Sequence, residues 1–247
     1  MTILNNNTNF ALNDLEPIPD FHNSVCLQSQ IVFQIQRPKA STKISIIMSP
    51  KLHKIGVILG STRSPRVCPQ IVTFITEMLT PLLSPNTELS IIDLSINTLP
   101  LFDEPGIPAK ITSSNDYAHT HTQAWSELIT SHSAFIFITP QYNWGYPASL
   151  KNALDYLYNE WKGKPAMIVS YGGHGGNHAA AQLRIVLEGG FKMKVVKEMS
   201  ALTFPSKEAT GQAFKGEQMD LPEGTWEKEG EDAKRGFQEM LKMLEEA

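Results

Sequence analysis

Cysteine is scarce in this 247-residue chain: only Cys26 and Cys68 occur, far apart and in no CxxC pair. That argues against a disulfide scaffold or a zinc ribbon and points to a reducing, cytoplasmic compartment. No apolar run approaches the roughly 18–20 residues that cross a bilayer, so no membrane partner is expected. Nor is there a block rich in Lys and Arg. The 21 basic and 25 acidic residues leave a net charge of −4. Nucleic-acid binders usually carry a basic stripe, so that class of partner is not expected either. A Walker A loop, GxxxxGK[ST], is missing, and with it the lysine for a β/γ-phosphate. What the chain does have is a hydrophobic fraction of 41%, enough for a full core.

Residues 1–47 differ from the rest. They hold the polar run NNNTN and few charges, with no continuous apolar segment of a secretory signal. Asp14, Glu16 and Asp20 argue against a transit peptide. A disordered N-terminal extension is expected, with IVFQIQ (31–36) as a candidate short strand. The stretch from Met48, MSPKLHKIGVILGSTR, reads like a natural protein start.

From Lys54 onward the pattern is regular. Short β-branched runs at 54–60, 87–94, 133–139, 165–171 and 191–196 read as strands. Between them lie helical patterns at 67–83, 116–131, 148–160 and 175–190, and a charged amphipathic helix closes the chain at 230–246. Strands alternating with crossover helices predict an open, doubly wound, five-stranded parallel α/β sheet with helices on both faces. In such a sheet a ligand sits outside the carboxyl ends of the strands. Three loops leave that edge: 60–67, 140–148 and 170–176.

The first loop, Gly60 to Arg66, precedes a helix and offers hydroxyls from Ser61, Thr62 and Ser64 and guanidinium groups from Arg63 and Arg66. Those groups suit a monophosphate. A plain turn with solvated arginines is the competing reading. The second loop, Pro140-Gln141-Tyr142-Asn143-Trp144-Gly145-Tyr146-Pro147, packs three rings and two amides between two prolines. These rings could simply pack on the sheet edge. Alternatively they wall a flat heteroaromatic ring whose polar edge meets Asn143 and backbone N–H groups. The third loop runs from Ser170 through four glycines. Glycines permit close approach to a ligand. Its Gly-His-Gly-Gly-Asn-His spacing does not fit a dinucleotide fingerprint. His174 and His178 lack companions for a metal site, so no metal is expected. Asn177 is a candidate helix cap. A planar ring plus a monophosphate on this sheet describes flavin mononucleotide (FMN).

These residues resemble the NADPH-dependent FMN reductase family, flavodoxin-like quinone, azo-dye or chromate reductases. Gly60-Ser61-Thr62-Arg63 is similar to the family's G-S-x-R phosphate loop. Pro140-Gln141-Tyr142-Asn143 is similar to its P-E-Y-N flavin loop, with Gln141 in place of glutamate. Pro147-Ala148-Ser149-Leu150-Lys151-Asn152-Ala153-Leu154-Asp155 matches the helix that follows, and Ser170 to Gly176 matches the third, glycine-rich element. The resemblance covers about 54–200 and implies strand order 2-1-3-4-5. The implied domains are 48–205 for FMN, and 206–247 as a tail whose amphipathic helix packs on it.

The resemblance further implies hydride transfer from NADPH or NADH to FMN, then two electrons to a quinone-like small acceptor, with no catalytic acid or base. The cofactor-binding set it implies is Ser61, Thr62, Arg63 and Arg66 for the phosphate, and Pro140, Gln141, Tyr142, Asn143 and Trp144 for the ring. Ser170, Gly172 and Gly173 complete that set. A homodimer is also implied, with the face Leu150, Leu154, Leu157 and Trp161 as candidate contact; packing of that face on its own sheet is the alternative. Cys68, at a helix start, is either an activated thiol or, more simply, a small buried residue. Two rival classes stay open: an FMN electron carrier serving a protein partner, and a flavin-free interaction module.

Overall fold

The computed structural model describes residues 51–246. The expectations for residues 1–47, including Cys26 and the strand at 31–36, lie outside the described residues. The described residues form one compact unit.

Its centre is a parallel sheet. The strands are β1 (His53–Leu59), β2 (Thr87–Asp93), β3 (Ala134–Pro140), β4 (Pro165–Gly172), β5 (Lys194–Val195) and β6 (Ser200–Thr203). Their order is β2-β1-β3-β4-β5, with β6 also pairing β4. The order is the flavodoxin-like one expected. The single fifth strand expected at 191–196 is instead two short pieces. Lys194–Val195 pairs with Pro165–Ala166, and Ser200–Thr203 pairs with Val169–Gly172. The polar break Lys197-Glu198 between them stands exposed at the sheet edge, where an interruption leaves no buried strand unpaired.

Strand alternation builds two cores. Ile136 and Ile138 of β3, with Met167 and Val169 of β4, face α1 (Cys68–Leu79) and α6 (Glu227–Glu245). Phe135, Phe137 and Ile168 face the other layer, α2 (Thr120–Thr130), α3 (Ala148–Asp155) and α4 (Asn177–Ile185). Period-two side chains on a sheet covered on both faces give this result directly. Gly56 of β1 is needed for it: a Cβ there would stand 2.8 Å from the Phe135 ring.

The face Leu150, Leu154, Leu157 and Trp161 is fully used. All four side chains are at most 1% exposed and pack on the chain's own sheet. The proposed dimer contact there is therefore corrected: an apolar helical stripe seeks the nearest apolar layer, and the sheet supplies it. A helix absent from the sequence reading, α5 (Lys207–Lys215), precedes α6.

Candidate functional site

The carboxyl ends of β1, β3 and β4 bring the three loops to one cleft of about 200 Å³. Eight of the twelve expected residues line it: Ser61, Arg63, Arg66, Pro140, Gln141, Tyr142, Gly172 and Gly173. Thr62, Asn143, Trp144 and Ser170 do not. Thr62 is exposed on its loop, and Ser170 is buried beneath the third loop, where its Oγ donates to the Gly175 carbonyl at 2.7 Å.

The first loop is held from below. The Gly60 N–H donates to the Ile138 carbonyl at 2.9 Å, and Ser149 Oγ donates to the Gly60 carbonyl at 3.1 Å. Its two arginines do different things. Arg66 grips Asp93 at the end of β2 with two hydrogen bonds, 2.8 and 2.5 Å, and also donates to the Ser61 carbonyl and Ser95 Oγ, both at 2.6 Å. Four of its five N–H groups are thus committed within the protein. Burial alone would push the Asp93 carboxyl up, yet the hydrogen bonds from Arg66 and Ser95 hold it below the ordinary value. Arg66 is therefore first a brace for the loop. Arg63 spends one donor on the Pro65 carbonyl and one on the Phe214 carbonyl, each at 3.2 Å.

The second loop ends in a tight hairpin. Tyr142 and Gly145 exchange backbone hydrogen bonds of 2.8 and 3.0 Å, with Asn143 and Trp144 both at positive φ between them. That is a type I′ arrangement, which asparagine tolerates and tryptophan seldom adopts. The three rings divide. Tyr142 lines the cleft, its hydroxyl 2.7 Å from Ser61 Oγ. Trp144 is 66% exposed and packs at a tilt against His178, ring centroids 4.1 Å apart. Tyr146 packs against the core, and burial, with the Asp155 charge, pushes its phenol up to about 12.

Gln141 has a structural task. Its Oε1 accepts from the backbone N–H of His178 at 3.1 Å and of Ala179 at 3.4 Å. It caps the first turn of α4 from another strand, a role an amide fills without charge. Asn177, the cap expected from sequence, instead donates to the His174 carbonyl at 3.3 Å.

In the third loop Gly175 and Gly176 lie at φ +71° and +76°. A Cβ at Gly176 would crowd Tyr171 backbone at 3.1 Å, so this tight turn calls for glycine. At Gly172 and Gly173 a Cβ would meet nothing within 4 Å, so both border open space at the cleft. Cys68 is fully buried, and burial pushes its thiol up. It is a core residue, not an activated thiol.

Sequence reasoning missed Tyr171, His174, Phe204, Ala213 and Phe214 in the lining. The last three follow β4 by thirty residues or more, and no motif tied them to the strand ends.

A family model described as NADPH-dependent FMN reductase matches residues 53–205. The chain belongs to that family. Among relatives, the NAD(P)H-dependent FMN reductase LOT6 of Saccharomyces cerevisiae is 46% identical over 148 residues, which are 58% of this chain and 77% of that one. The NAD(P)H-dependent FMN reductase C4B3.06c of Schizosaccharomyces pombe is 51% identical over 152 residues, 62% and 74% respectively. In fold, the chain is similar to the flavoenzyme NAD(P)H:(acceptor) oxidoreductase FerB of Paracoccus denitrificans. That likeness has a TM-score of 0.55 at 23% identity, covering 79% of this chain and 98% of FerB. For an NADPH-dependent FMN reductase the cleft has the right chemistry. Hydroxyl and guanidinium donors stand at the first loop, and open glycines at the third.

Proposed function

We propose that this chain is an FMN-dependent NAD(P)H oxidoreductase that passes two electrons to a quinone or similar small acceptor. The observation that carries the reading is the convergence of the β1, β3 and β4 loops on one cleft in a chain of the FMN reductase family. Bound FMN would supply the redox chemistry of a two-electron transfer between NADPH or NADH and the acceptor.

The protein's part is to bind and orient. Ser61 and Arg63, the first-loop donors that line the cleft, are assigned to the phosphate, with Arg66 bracing their loop through Asp93. Pro140, Gln141 and Tyr142, which line the cleft, are assigned to the ring's edge, with the turn held by Gln141 on α4. Gly172 and Gly173, over Ser170, keep the other edge open for close approach. No side chain is assigned a proton-transfer or nucleophilic role.

The assembly is assigned as a homodimer through the 95–111 loop. Ile96, Leu101 and Ile107 stand 78, 85 and 60% exposed there. Leu101→Asp is expected to turn the dimer into a monomer in light scattering. A wild type that is already monomeric refutes the assignment. The cytoplasm is the assigned location, on the scarcity of cysteine in the sequence.

The functional test is spectroscopic. The purified chain, loaded with FMN, is expected to show bound-flavin absorbance that NADPH bleaches under anaerobic conditions. Absence of bound flavin after loading refutes the reading. Bound flavin that neither NADPH nor NADH bleaches leaves an electron carrier instead.

A further inference from the structure

Residues 206–220 lie beyond the stretch that the family model matches, yet they supply part of the cleft. Helix α5 starts at Ser206, whose Oγ accepts from the Ala209 N–H at 3.0 Å, and it turns out at Gly216, φ +68°. Ala209 and Ala213 anchor it in the core. Two further contacts fasten the segment to the first loop and its helix. Gly216 approaches so closely that a Cβ would stand 2.7 Å from Pro65 Cβ. Gln70 of α1 donates to the Glu217 carbonyl at 2.7 Å and accepts from the Met219 N–H at 3.1 Å.

This segment delivers Phe214 to Arg63. The ring is 62% exposed. The Arg63 guanidinium lies over its face at 5.7 Å and donates to the Phe214 carbonyl. With a second donor on the Pro65 carbonyl, three of the five N–H groups of Arg63 remain for a ligand. An exposed arginine on a turn has many rotamers. One held in place beforehand loses less freedom when it meets an anion.

We propose that Phe214 is a positioning residue that holds Arg63 for the FMN phosphate and so sets this cleft's preference for FMN over riboflavin. The proposal rests on the FMN reading above and deepens it. Riboflavin has the same ring and ribityl chain but no phosphate, so it reports the cleft without Arg63. A ring that served only as an apolar wall would affect both flavins alike.

The test uses the full chain stripped of flavin. FMN and riboflavin are titrated separately, followed by quenching of flavin fluorescence. Phe214→Ala is expected to weaken FMN about fivefold, the size of a solvent-exposed cation–π contact, and to leave riboflavin unchanged. Phe214→Trp is expected to restore FMN binding. In an Arg63→Ala background, Phe214→Ala is expected to add no further loss. Equal weakening of both flavins, unchanged FMN affinity, or full additivity with Arg63→Ala each overturns the positioning role while leaving the FMN reading intact. Wild type that binds neither flavin overturns both. Because the ring is exposed, truncation is expected to leave the melting temperature in place, which confirms that each variant is folded.

Discussion

Replacing Asp93 by asparagine tests the brace beneath the phosphate loop. The substitution keeps the side chain's size and one acceptor but removes the charge and the paired grip on Arg66. The two side chains are only 17 and 13% exposed, so the pair lies between two limits. Exposed pairs contribute roughly 0–1 kcal/mol, and removing one partner of a buried pair costs about 3–5 kcal/mol. Arg66 keeps the Ser61 carbonyl and Ser95 Oγ, which offsets part of the loss. The expected cost is about 2 kcal/mol at pH 7, or roughly 4–8 °C in melting temperature for a unit of this size.

The pH dependence has a definite sign. The Asp93 carboxyl titrates below its ordinary value of 3.8 in the folded protein. Its contribution is therefore complete above that value and is lost as pH falls through the lower, folded one. Urea titrations of both proteins at pH 7, 6, 5 and 4 are expected to show a gap constant down to pH 5. The gap closes only below the ordinary carboxylate range. A gap under about 0.5 kcal/mol at pH 7 would refute the reasoning, because this largely buried pair would then be worth no more than a surface one. So would a gap that shrinks between pH 6 and 5.

Three other perturbations have expected outcomes. Gln141→Leu leaves the His178 and Ala179 N–H groups without their acceptor and is expected to cost about 1 kcal/mol in chemical denaturation; Gln141→Glu is expected to be neutral or slightly stabilising, because the α4 N-terminus favours negative charge. Gly216→Ala is expected to destabilise by about 1–2 kcal/mol in a thermal melt, since it meets both positive φ and a 2.7 Å contact with Pro65. Burial pulls the Lys164 ammonium down to about 8, so the unfolded chain binds more protons between there and the ordinary 10.5, and stability rises with pH across that window. Relative to Lys164→Met, wild type is expected to gain stability from pH 8 to 10 in urea titrations; a flat difference counts against the buried amine.

The centre of the sheet was legible because β3 and β4 are short, largely apolar runs buried on both faces, a pattern that period and length reveal together. The edge was less so. Lys197-Glu198 interrupts the last strand without cost because one side faces solvent. Helix α5 buries only Ala209 and Ala213, too little apolar surface for a periodic signal; Ser206 and Gly216 do punctuate its ends, and that bracket was its readable trace. In the cleft, loop membership could be read but partnership could not. Arg66 meets Asp93 from 27 residues away, and Phe214 meets Arg63 from 151, distances that only the fold closes. The apolar stripe of α3 shows the same limit, since a stripe says that a face is covered and not by what.

The two faces of the sheet also differ in when they can be finished. The layer around Phe135, Phe137 and Trp161 draws on residues no later than Met193, apart from the partly buried Val195 and Met199. The opposite layer needs Phe237, Met240 and Leu244, close to the carboxyl end. At a synthesis rate of 5–20 residues per second, the roughly fifty intervening residues take about 3–10 s. For that interval a nascent chain holds one sealed side, while Met167 and Val169 of β4 wait for α6. Helix α6 is thus what completes this layer, and a stop codon ahead of it leaves a sticky half-sandwich for chaperones and proteases to clear.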